Sequence, residues 1–345
     1  MLRFSILWSA IVILLVGAGS VAAESESPWT LPSASDSFSK LTRRDFYYRM
    51  KGMVRLLIFW VGKENVGGGR ISLLAPSHEA GSNWTDGVEV LFGSEPERVP
   101  GGHNRWGFAR ELASWKRGSG RENPLLKGVL FEGFMSKSDE GSLSQVQKSQ
   151  HGKGETLYEG TISIVRELEA NARLWRYYSS QNDTYRNPET VAKAYLLQMA
   201  EQPDIVRTFD NEKLVYRRPY GFITAVRSFI IQALAASDED ASLALIEKTK
   251  RGYVQNALLY SLAVTKVKLL RNFRLSTGEE FQDVLEFDME TTNRKTGSTH
   301  SFSLHVATHG DLRGIPLRVV DKPRWWLKIQ LELDPQRTSS LASGG

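Results

Sequence analysis

No cysteine occurs anywhere in the chain. Disulfides, thiolate metal ligands and an acylated lipoprotein cysteine are thereby excluded. Beyond the N-terminus no run is long and apolar enough to span a bilayer. Charge of one sign is not in large excess either. The formal net charge of +5 is a mild bias toward anionic surfaces, far short of a nucleic-acid signature, so no nucleic-acid partner is expected. There is no internal repeat. The glycine run Gly67-Gly68-Gly69 is not followed by Gly-Lys-Ser/Thr, so a phosphate-cradling loop is not expected and the run reads as a turn.

What is present begins with a secretory signal pattern. Residues 1–23 carry Arg3 as their only charge and an almost unbroken apolar run over residues 6–16. Small residues Val21-Ala22-Ala23 then precede Glu24. Cleavage before Glu24 is expected, with an uncleaved membrane anchor as the alternative. An exported chain without disulfides points to the periplasm or exterior of a bacterium more than to an animal secretory pathway. Residues 24–40, rich in Ser and Pro, read as an extended leader.

About 320 residues remain, enough for a large core. Hydrophobic residues at 41% and charged residues at 24% are ordinary for a globular protein. Residues 41–335 are expected to form one α+β domain: β-rich over 41–180, helical over 181–255, and an antiparallel meander over 256–335. Residues 336–345 read as a loose tail. In the first part, the continuous apolar run 54–61 reads as a buried strand. Further strands are expected over 70–75, 87–92, 127–134 and 161–170. Helices are expected after Pro188, after Pro219 and from Ser237. The second is the clearest, with Phe222, Val226, Phe229, Ile230, Ala233 and Leu234 in one stripe.

The last ninety residues alternate with period two. Leu285, Phe287 and Met289 interleave with Glu286, Asp288 and Glu290, and Phe302, Leu304 and Val306 with Ser301, Ser303 and His305. Such alternation describes strands with one apolar and one wet face. Asp321-Lys322-Pro323 reads as the turn before a final strand carrying Trp325, Leu327, Ile329 and Leu331 on its apolar face. Residues 314–334 are faintly similar to the closing hairpins of exported half-barrel proteins, a generic pattern that identifies no family. The expected architecture is a large, curved, mainly antiparallel sheet, possibly a half-barrel, drawn from both ends of the chain, with the central helices on one face. Such a sheet can enclose an apolar cavity.

Candidate chemistry is sparse, and no catalytic residue, cofactor or metal ligand is assigned. Ser37 and Lys40, Ser180 and Asn182, and Lys295-Thr296-Gly297 match the element types of serine β-lactamases. The serine, however, follows the signal too closely for that fold, and the Lys-Thr-Gly element falls in a turn. His300, His305 and His309 do not converge, because His305 and His309 share one strand face and His300 takes the other. The carboxylate row Glu286, Asp288 and Glu290 is read as a cross-strand ladder with Lys266, Lys268 and Arg274. The stretch VPGGHNRWGFARE, residues 99–111, separates into two faces. Trp106, Phe108 and Arg110 share one; His103, Arg105 and Glu111 share the other with Gly107 and Ala109. The small residues leave room there for a backbone, a partner or a ligand. One ring of Trp325 and Trp326 is expected to point away from the core.

Binding is therefore expected at His103, Arg105, Glu111, Trp325 and Trp326. The expected role is non-catalytic binding of a lipid or other amphipathic ligand, or of a cell-envelope protein. The alternative is a periplasmic hydrolase using dispersed residues such as His103, His305 or Ser37.

Overall fold

The computed structural model describes residues 41–56, 59–76, 86–95, 98, 106–116, 125–137, 156–166, 169–179, 205–208, 220–236, 240–255 and 258–342. The signal pattern, the leader, Ser37, Ser180 and the helix expected after Pro188 lie outside them, as do His103 and Arg105.

Among the described residues, fourteen strands form one open antiparallel sheet. From one edge run β8 (Ile205–Thr208), β7 (Glu169–Ser179), β6 (Thr156–Arg166), β5 (Leu125–Lys137), β4 (Trp106–Lys116) and β3 (Asp86–Ser94). They lead to β2 (Phe59–Pro76) and β1 (Leu41–Leu56). The last strand, β14 (Leu327–Leu333), pairs with β1 through rungs such as Tyr48 with Leu333. Beyond it follow β13 (Pro316–Arg324), β12 (Thr299–Ala307), β11 (Glu280–Asn293), β10 (Leu258–Arg274) and β9 (Lys250–Gln255). The expected mainly antiparallel sheet drawn from both chain ends is thus present, and β1 is its seam. The stretch expected to be helical also contributes the two edge strands, β8 and β9.

The meander β10 to β14 follows the alternation of its sequence. Leu285, Phe287 and Met289 of β11 are buried, as are Phe302, Leu304 and Val306 of β12, and their pairing puts all six on one face. On the other face Lys268 pairs with Glu286 at 2.7 Å, and Lys266 stands opposite Asp288 in register. The expected charge ladder is there, except that Arg274 turns to Glu280 at 3.7 Å. Lys295 to Gly297 lie in the β11–β12 turn, where Asn293 Oδ1 accepts the Lys295 and Thr296 N–H groups and Gly297 supplies φ +69°.

The strands β3 to β5 obey a different rule, because both of their faces are buried. Val88, Val90 and Phe92 lie on one face; Glu89 and Leu91 lie on the other, and all five are withdrawn from water. The polar members of the second face satisfy one another. Glu89 Oε1 accepts from Arg43 at 2.6 Å and Arg70 at 2.7 Å. In the same register row, on the next two strands, Arg110 Nε donates to Glu132 Oε2 at 2.9 Å. Buried charges persist only when paired and hydrogen-bonded in this way.

Two helices are described in the middle region, α1 (Phe222–Ala236) and α2 (Asp240–Ile246). Phe222, Ala225, Phe229 and Ala233 recur at helical spacing and are buried in the same apolar cluster as β10 to β14. The Phe222 ring meets Phe302 edge-on at 5.8 Å.

Four local expectations are corrected. Residues 54–61 are not one buried strand: β1 ends at Leu56, β2 starts at Phe59, and Val54, Phe59, Trp60 and Val61 are exposed. The described residues of the run instead pair across the end of the β1–β2 hairpin, Leu56 with Phe59, and periodicity alone cannot separate that case from burial. Gly67 to Gly69 lie inside β2 rather than in a turn. A Cβ on Gly67 would stand 2.1 Å from the Gly93 carbonyl oxygen, and one on Gly69 2.0 Å from the Phe92 ring. These glycines permit a close backbone approach. Asp321 to Pro323 continue β13 through a register irregularity, and the turn falls on Trp325 and Trp326. Finally, the tail carries a short helix, α3 (Pro335–Ala342). Asp334 accepts the Arg337 N–H at 3.2 Å, and Pro335 takes the first helical position, where a missing N–H costs nothing.

Candidate functional site

Helix α1 is apolar over more of its circumference than a helix lying on one core requires. Beside the buried stripe runs a second one, Ile223, Val226, Ile230 and Leu234, at spacings of three and four. This second stripe faces a cavity of about 520 Å³. Ile71 and Leu73 of β2, Val88, Val90 and Phe92 of β3, Leu304 of β12 and Val319 of β13 form the opposite wall. Of the twenty described lining residues only Arg227 and Arg313 carry charge. A volume between roughly 300 and 1,000 Å³ with apolar walls and few polar groups is typical of small-molecule sites.

The two arginines differ. Arg227 is ion-paired to Asp86 at the start of β3, so its charge is already matched. Arg313 follows the short 3-10 turn Gly310–Leu312 and is exposed; its backbone N–H donates to the Gly310 carbonyl at 3.1 Å and its guanidinium to the Leu234 carbonyl at 3.5 Å. Gly314, at φ +83°, lets the chain turn back from Arg313 into the wall.

Glu111 holds α1 in place. Its Oε1 accepts the Ile223 N–H at 2.9 Å; its Oε2 accepts the Thr224 N–H at 2.7 Å and the Thr224 hydroxyl at 2.8 Å. Helix N-termini carry unpaired N–H groups and partial positive charge, so a carboxylate from β4 is a fitting cap. Gly221 is needed beside it, since a Cβ there would lie 2.6 Å from the carboxylate. Burial is the largest influence on Glu111 and pushes its pKa above the ordinary 4.5, against these hydrogen bonds. Of the residues singled out in residues 99–111, Glu111 thus receives a backbone on the face left open by Gly107 and Ala109.

Trp325 and Trp326 sit away from the cavity, at the hairpin tip six residues beyond the lining residue Val319, or roughly 20 Å along a strand. Trp325 is 74% exposed and Trp326 packs against the core. One ring does point outward, but it is Trp325, because the pair forms the turn rather than two strand positions.

The three described histidines do not join the cavity. His305 is on the sheet face that bears the charge ladder, stacked on Phe273 with ring centroids 4.6 Å apart and its Nε2 3.6 Å from Glu286. His300 takes the other face, as expected, with Nε2 2.8 Å from Asp321. His309 Nδ1 meets Thr308 Oγ1 at 2.6 Å. Among the described residues no three His, Asp or Glu side chains group as metal ligands.

Burial lowers the His305 pKa from 6.5 to about 4, outweighing the pull of Glu286. The unfolded chain then binds a proton that the folded chain refuses between those values. Stability is full above pH 6.5 and falls as pH drops toward 4, by about 3 kcal/mol. Glu111 acts with the opposite sign, since its raised pKa adds stability as acid protonates it. A difference measurement separates the two. Urea unfolding at pH 7 and pH 4.5 is expected to show a smaller acid loss in His305→Gln than in the parent; equal losses would refute this assignment.

An apolar cavity was expected from the architecture, but its lining residues were not legible, because its walls come from separate segments of chain. The one local signal is the second apolar stripe of α1. Comparison with known proteins adds no further information: no family model, curated protein or solved structure matches the chain.

Proposed function

We propose that the protein is an exported, non-catalytic carrier that binds one single-chain anionic amphiphile, its tail in the α1 cavity and its head at Arg313. The observation that carries this reading is the cavity of about 520 Å³ walled by apolar side chains with one exposed arginine at its edge. An architecture of half-barrel type, with the helices across its inner face, is part of the proposal. Val90 of β3 and Leu304 of β12 line the same cavity although they stand five strand steps apart, roughly 24 Å in a flat sheet. Their convergence supports a curved sheet. Export is supported by the signal pattern of residues 1–23.

The expected affinity follows from burial. A tail of about fourteen carbons gains roughly 11 kcal/mol, and association costs at least about 4 kcal/mol. A dissociation constant on the order of 10 μM results. Titration with a fluorescent fatty acid is expected to saturate at one per chain. Arg313→Ala should weaken the carboxylate ligand several-fold and leave the corresponding alcohol unchanged. Absence of saturable binding, or equal effects on acid and alcohol, would refute the proposal.

A further inference from the structure

At the end of the sheet remote from the cavity, two neighbouring hairpins run on past the strands beside them. The last rung between β2 and β3 is Gly67 with Ser94, yet β2 begins at Phe59, so roughly 25 Å of the β1–β2 hairpin stands beyond it. The β13–β14 hairpin accompanies it: Val54 pairs with Leu327, and the Arg55 N–H donates to the Trp326 carbonyl at 2.7 Å. The resulting tab ends in exposed apolar side chains. Phe59 is 69% and Val61 54% exposed, with Trp60 and Trp325 beside them. Most exposed large hydrophobic residues of the described chain are gathered here; the others, Ile231 and Leu245, are on the helices.

Behind this tip is a collar of cations. Lys51, Arg55, Lys63, Lys322 and Lys328 lie on the four strands of the tab, and the acids there are Glu64, paired to Lys51, and Asp321, which is buried. Burial and the neighbouring charges of Lys322, Arg318 and Lys51 depress the Lys328 pKa. Cations crowded behind aromatic side chains match the interface of an anionic bilayer, where Trp and Phe enter the headgroup layer and lysines meet lipid phosphates.

We infer that the paired hairpin tips form a peripheral docking site for anionic lipid bilayers. A second copy of the chain is a poorer occupant, since a two-fold contact would set the two lysine collars against each other. This inference does not depend on what the cavity holds.

The test is flotation of the full chain with vesicles of phosphatidylcholine, with and without phosphatidylglycerol. The parent should float with the anionic vesicles and much less with the neutral ones, and added salt should release it. Phe59→Ser with Trp325→Ser, and separately Lys322→Glu with Lys328→Glu, should each weaken binding more than tenfold. Circular dichroism must match the parent, and fatty-acid titration serves as a second check that the distant cavity is intact. The apolar run at residues 6–16 is present in every sample. Equal flotation of parent and both variants would assign binding to that run and overturn the inference. So would equal binding to neutral vesicles, no binding at all, or a dimer in sedimentation that the same substitutions abolish.

Discussion

Glu89→Ala is expected to destabilise the protein by about 3–5 kcal/mol, the size of effect seen when one partner of a buried ion pair is removed. Glu89 is 2% exposed, and one of its oxygens accepts from both Arg43 and Arg70. Arg70 is 4% exposed, and a second carboxylate, Asp45, is 3.6 Å away. Deleting the Glu89 carboxylate therefore removes a charge partner at 2.7 Å from a buried guanidinium. Guanidinium chloride unfolding of parent and variant measures the difference. A companion variant distinguishes charge from packing: Glu89→Leu with Arg70→Leu removes the cation together with its partner and should lose much less than Glu89→Ala. A double variant as unstable as the single one would mean that shape, not charge, governs this face.

Val226→Trp is expected to abolish most ligand binding while leaving the fold intact. Val226 lies on the cavity stripe of α1 and is only half-buried, so a larger ring enters empty space instead of a packed core. Excluding about four methylenes of a tail costs roughly 3 kcal/mol, or more than a hundredfold in affinity. The fatty-acid titration reads this directly, with thermal unfolding as the control. A variant that binds as the parent does would place the ligand elsewhere.

The C-terminal meander was legible in the sequence because one of its faces is wet. Each strand there advertises its two sides by alternation, and Lys268 with Glu286 could be paired on paper. The strands β3 to β5 were legible as strands but not in their packing. Alternation puts Arg110 on one face with Trp106 and Phe108 but names no partner for it, whereas Glu89, Arg110 and Glu132 are buried side by side in one cross-strand row set by register. Register is a long-range property that a single strand does not encode. The hairpin tip at residues 54–61 was misread for a related reason: an apolar run looks the same whether it lies in a core or awaits a partner. The tail helix had a local signal, Asp334-Pro335, whose capping chemistry was available to a closer reading.

Of the expected binding residues, Glu111 serves the site indirectly by capping α1. Trp325 belongs to the separate tab, and His103 and Arg105 lie outside the described residues. Arg313 was missed because a lone arginine beside a glycine carries no periodic signal. Its significance depends on α1 lying above it.

Native mass spectrometry of the protein purified from its source organism tests the central claim most directly. The account predicts a fraction of the parent carrying one adduct of the mass of a single-chain amphiphile, absent from Val226→Trp prepared in the same way. A parent without any adduct, which also fails to take up added fatty acid, would contradict it.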